Sequence, residues 1–150
     1  MKRTDVSEKA AAYFSEGYNC AQSVLLAMSQ HWRMADDLIP KIATGFGGGI
    51  GRCGSVCGAL TGGVMAIGIK YGTNEPSGDK RKKAYELARD LLHRFERKHG
   101  SISCRELIGY DLSDPDQFAK AHESNVLEEK CSVYIREIVQ AMLEFSNTST

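Results

Sequence analysis

The most constraining part of the chain is the stretch from Gly45 to Tyr71, GFGGGIGRCGSVCGALTGGVMAIGIKY. From Gly58 to Ile69 it runs for twelve residues without one ionisable side chain. A helix of that composition is expected to be buried on every face. It falls well short of the roughly 20 residues needed to cross a bilayer, so it reads as the centre of a globular core. Its sides differ in bulk: Leu60, Val64, Ile67 and Tyr71 share one face, and Ala59, Gly62, Gly63 and Ala66 the other. Glycine inside a helix costs about 1 kcal/mol relative to alanine, so several together point to close approach of another backbone or of a bound group.

Cys57 stands at the start of this helix, in its first turn, with Ser55 placed to cap it. Free amides and the positive end of the helix dipole stabilise a thiolate there. A Cys57 pKa below the reference of about 8.5 is the expectation.

Other cysteines fall at similar places. Thr4 or Asp5 caps a first helix whose inner face is Val6, Ala10, Tyr13 and Phe14, and Gly17 ends it. Asn19 and Gln22 have capping-box spacing, which puts Cys20 at the first position of a second helix carrying Val24, Leu25 and Met28 inward. A short third helix from Asp36 or Asp37 through Ala43 must keep Pro40 in its first turn. Asp79 opens a long helix to about His99, with Ala84, Leu87, Leu91 and Phe95 inward. The basic residues Lys80, Arg81, Lys82, Lys83, Arg89, Arg94, Arg97 and Lys98 form its solvated side. Ser103 and Glu106 form another capping box, with Cys104 first in a short helix ending near Gly109. A polar connection follows, with a helical turn at Gln117 to Ala121. The last helix begins around Cys131, carries Ile135, Ile138, Met142 and Phe145 inward, and ends in a frayed tail, SNTST.

In this order, Cys20, then Cys57-Gly58-Ala59-Leu60-Thr61-Gly62, then Cys104 and Cys131, the chain resembles the C_GCAxxG_C_C family of redox-active proteins. The resemblance spans about residue 14 to residue 135. It implies a small, mainly bacterial or archaeal protein, often encoded near transporter genes, whose cysteines are redox-active. Cys53 departs from the family pattern, which does not require a cysteine there.

No strand pattern or internal repeat is present. The segment Gly49-Ile50-Gly51-Arg52-Cys53-Gly54 has GxGxxG spacing, but no β-branched strand precedes it and no βαβ alternation surrounds it, so the dinucleotide reading is rejected. A bound anion at these amides, assisted by Arg52, is a lesser alternative to simple close packing. The expected architecture is all-α, one domain over residues 1–150, a compact bundle of five to six helices around the buried glycine-containing one.

The formal net charge of zero gives no electrostatic reason to expect nucleic acid. No apolar run follows the basic residues of MKRTDVSEKA and none later could span a membrane, so the cytoplasm is the expected location. Five cysteines in a reducing compartment point to redox chemistry or metal rather than structural disulfides. The leading reading is thiol–disulfide exchange or electron transfer, needing no cofactor, with a redox partner protein or a small-molecule thiol or disulfide. Cys57 is the expected nucleophile, Cys53 a local partner across Gly54, and Cys20, Cys104 and Cys131 a further pair or relay. The rival is a zinc or iron–sulfur site using the same thiolates, although no CxxC spacing occurs. A third reading makes the cysteines mere packing. His31, His93, His99 and His122 read as surface or helix-end residues, and the sequence leaves room for a homo-oligomer.

Overall fold

Capping chemistry sets where the helices begin. The computed structural model describes residues 2–148 and contains, among them, seven α-helices, a 3-10 turn and a π turn, with no strand. Helix α1 (Arg3–Glu16) starts ahead of the expected cap, because the Asp5 carboxylate takes the Lys2 amide at 3.3 Å instead of capping a later start. Helix α2 (Cys20–His31) has the expected box: Asn19 Oδ1 accepts from the Gln22 amide at 2.9 Å and Gln22 Oε1 from the Asn19 amide at 3.1 Å. The third predicted helix is displaced. Pro40 supplies no amide, and only a 3-10 turn, Lys41–Phe46, forms after it.

Helix α3 (Gly58–Tyr71) is the glycine-containing element, and α4 (Gly78–His99) is capped by Ser77 rather than Asp79. Helix α5 (Cys104–Ile108) follows, and the polar connection forms a full helix, α6 (Pro115–Glu123), capped by Asp114. A π turn, Leu127–Cys131, leads into α7 (Ser132–Thr148). The all-α expectation holds, but the helix count exceeds five to six because α5 and α6 are separate short helices. The tail is helical as far as Thr148; Ser149 and Thr150 lie outside the described residues.

Helix α3 packs against α2, α4 and α7 through its small face. A methyl group added at Gly62 would meet the Ala21 carbonyl oxygen at 2.7 Å, and one at Gly63 would meet Ile138 and Leu91 at 2.8 and 2.9 Å. Val24, Leu25, Met28, Leu60, Ile67, Leu91, Ile135, Ile138 and Met142 fill the interior. Burial on every face is not observed: Val64 is 39% exposed, and Gly68, one turn on, is also at the surface. Gly68 has no side chain to bury, and Val64 leaves part of an apolar side chain in water. The basic face of α4 is partly paired rather than simply solvated: Arg94 reaches Glu144 at 2.7 Å and Lys98 reaches Glu137 at 2.9 Å, both on α7.

Two glycines in α3 should respond oppositely to alanine. Gly62→Ala should destabilise by about 1–3 kcal/mol, since its Cβ has backbone, not a movable side chain, in its way. Gly68→Ala has open space and should stabilise by about 0.5–1 kcal/mol. Urea unfolding of both variants tests the pair; equal effects would contradict the packing.

A four-thiol cluster beneath one pocket

The cysteines reach one region by three different local devices. Cys20 is the first residue of α2, and its Cβ packs 3.0 Å from where a Cβ on Gly58 would lie. That contact holds the starts of α2 and α3 together. Cys57 and Cys104 are aligned by an isolated antiparallel bridge between Val56 and Ser103. The Cys57 amide donates to the Ile102 carbonyl at 2.8 Å and the Cys104 amide to the Ser55 carbonyl at 2.6 Å. Cys131 closes the π turn, one residue before α7.

The intervening loop is unusual. Gly48, Gly49, Ile50, Gly51 and Arg52 all have positive φ, between 55° and 71°. For Ile50 and Arg52 this conformation costs about 1–2 kcal/mol each. Gly49 cannot be larger: a Cβ there would meet the Cys104 Cβ at 2.7 Å and the Ser55 amide at 2.6 Å. The left-handed run lets the chain fold back tightly enough to seat Cys104 beside it.

The four sulfurs lie on the seam between two apolar clusters. Cys57 belongs to the main core, Cys104 and Cys131 to a smaller cluster with Ile108, Leu112 and Ala121, and half-buried Cys20 packs against both. Cys57, Cys104 and Cys131 are buried, at 5%, 9% and 7% exposure. Cys20, Cys104 and Cys131 line a pocket of about 410 Å³, together with Phe14, Arg52, Phe118 and Glu128.

Proximity and burial order the thiols. The side chains of Cys20 and Cys131 act on each other: Cys20 holds Cys131 below the ordinary thiol value, while Cys131, together with burial, holds Cys20 well above it. Cys57 and Cys104 also raise Cys20, so the four sulfurs feel one another's charge. Burial pushes Cys57 up to about 11, against the opposing pull of the Leu60 and Ala59 amides. It pushes Cys104 up to about 12.

Several expectations are thereby corrected. Cys57 is the N-cap residue rather than part of the first turn, and its thiol makes no capping hydrogen bond. Ser55 does not cap α3; its amide donates to the Gly49 carbonyl. The depressed Cys57 pKa is overturned, because loss of water outweighs the helix amides. Cys53 is exposed and lies outside the lining of that pocket, its thiol 4.0 Å from the Gly51 carbonyl. His99 is at a helix end but half-buried, bonded to Glu137 and set against Phe95 and Tyr134. The Ser103 cap forms, but Glu106 accepts from Ser101 Oγ rather than closing the box.

Sequence reasoning missed Tyr134 and Phe118. Tyr134 is buried, donates to the Leu107 carbonyl at 3.3 Å, and is pushed up by burial and by Cys131, Cys57 and Cys104. Its position three residues after Cys131 was the available signal. By type the four thiols suit zinc or an iron–sulfur cluster. Among the described residues, however, no three His, Cys, Asp or Glu side chains are arranged to hold one ion.

These features define a class: an all-helical protein that collects separated cysteines under one small pocket. The sequence model for the family described as "Putative redox-active protein (C_GCAxxG_C_C)" matches residues 18–145, and the chain belongs to that family. It is also similar to an uncharacterized protein of Archaeoglobus fulgidus, 29% identical over 120 residues, covering 73% of this chain and 78% of the relative. No solved structure matches the chain. No helix among the described residues is long and apolar enough to cross a membrane.

Raised thiol pKa values make stability depend on pH. Cys57 and Cys104 favour the folded state fully below the unfolded value of 9.0, and that contribution is lost as pH rises through about 11 and about 12. Under reductant, urea midpoints should therefore fall above pH 9.0 more steeply in the native sequence than in a Cys57→Ala/Cys104→Ala variant. Identical slopes would contradict the buried assignment.

Proposed function

We propose that the chain is a thiol–disulfide redox protein in which Cys131 attacks and Cys20 resolves. The observation that carries this reading is that Cys20 and Cys131 come together in the lining of one open pocket. Of the four gathered thiols, Cys131 is the one whose ionisation its neighbours favour. The Cys131 thiolate attacks one sulfur of a disulfide, forming a mixed disulfide and expelling the first thiolate. The Cys20 proton passes to that leaving thiolate. The Cys20 sulfur then attacks Cys131, closes the protein disulfide and releases the second thiolate. The protein dithiol is oxidised, and the substrate disulfide is reduced to two thiols.

Cys104, on the same pocket, and Cys57, behind it, supply a second dithiol for onward transfer. Their high pKa values suit a reserve pair that reacts after the outer one. The partner is a small-molecule thiol or disulfide or a redox partner protein. Cys53, exposed and apart, has no part in the exchange.

A metal-binding role for the same thiolates is supported by donor type and by the mutual influence of the four sulfurs. Anaerobically purified protein separates the two: absorption beyond about 300 nm would favour an iron–sulfur cluster. For the redox role, mild oxidation should remove two thiols and peptide mapping should find Cys20 joined to Cys131. Cys20→Ser and Cys131→Ser should each abolish that product, and Cys53→Ser should not. A Cys53-containing disulfide as the main product would sink the assignment.

A further inference from the structure

The pocket is lined by one arginine, Arg52, that the exchange between Cys20 and Cys131 does not use, and by one carboxylate, Glu128. Arg52 lines it from the glycine-rich loop, in a left-handed conformation (φ 66°) that a non-glycine residue adopts only under strain. The guanidinium lies over the Phe118 ring, 4.3 Å from its centroid, and Phe118 lines the same pocket. A planar cation stacked in this way keeps its edge donors available. Among the described residues no carboxylate pairs with Arg52, so its edge donors face the pocket without a charged partner. The carboxylate lining the pocket, Glu128, is engaged by Ser15 Oγ at 2.7 Å. A strained backbone, an aromatic rest and an unpaired guanidinium thus converge beside three thiols.

We propose that the substrate is a low-molecular-weight disulfide bearing a carboxylate, which pairs with Arg52 while the sulfur atoms lie over Cys131. This rests on the dithiol reading of Cys20 and Cys131 and adds to it the charge of the substrate. A planar carboxylate matches the guanidinium fork. The pocket, at about 410 Å³, is of small-molecule size. Its attacking sulfur is recessed, Cys131 being only 7% exposed, which favours a slender small molecule over a disulfide set in a broad protein surface.

Three disulfides of similar length but different charge test the proposal: dithiodipropionate, bis(hydroxyethyl) disulfide and cystamine. Each would be reduced to two thiols as Cys20 and Cys131 close into a disulfide, followed by mass spectrometry in a Cys53→Ser background. With each rate divided by the same reagent's rate toward a free thiol, dithiodipropionate should exceed the neutral disulfide about tenfold, with cystamine lowest. Arg52→Gln should slow dithiodipropionate more than the neutral disulfide and so remove that advantage, and Arg52→Lys should retain part of it. Without any substitution at Arg52, added salt should slow dithiodipropionate alone. An equal response of all three reagents to Arg52→Gln, or no charge preference in the native sequence, overturns the proposal while the dithiol reading stands. If none of the three oxidises the pair, both fall.

Discussion

The structure depends on one steric constraint, the absence of side chains along the inner face of α3. Gly62 lets the helix lie against the backbone of α2 at Ala21, and Gly58 leaves room for Cys20. The starts of the two helices are thereby locked side by side, and their cysteines share one end of the molecule. Any larger residue at these positions would push α2 outward and separate Cys20 from Cys57. The propensity penalty of helical glycine, about 1 kcal/mol each, is offset by close interhelical packing.

The remaining two sulfurs are brought in by less regular structure. A single bridge between Val56 and Ser103 aligns Cys57 with Cys104, while the left-handed loop gives Cys104 its space. The π turn then positions Cys131 against Cys20. The four sulfurs end up between two apolar clusters, where water is scarce on one side and a pocket opens on the other. That asymmetry separates their acidities. In the outer pair Cys20 favours the Cys131 thiolate, and burial pushes the inner pair, Cys57 and Cys104, up.

Much of this was legible in the residues. Caps placed the starts of α2 and α5, an uncharged run placed α3, and periodicity placed the inward faces of α4 and α7, because these depend on contacts within a few residues. The convergence of Cys20, Cys57, Cys104 and Cys131 was anticipated from their positions at helix starts. The acidity of Cys57 was not, because a helix amide is a local feature whereas burial depends on what the rest of the chain stacks over it. Cys53 looked like a partner on spacing alone, but the left-handed loop leaves it at the surface. The bridge, the π turn and the Arg52–Phe118 contact join distant segments and leave no periodic trace.

Tertiary burial and the mutual influence of Cys20 and Cys131, rather than helix position, rank the thiols. Site-resolved alkylation of the reduced protein by iodoacetamide across pH, quantified for each cysteine-containing peptide, tests it most directly. Cys131 should titrate below the ordinary thiol value of 9.0, and Cys57 and Cys104 near 11 and 12. A titration in which Cys57 ionises first, or in which these three thiols ionise together, would contradict the account.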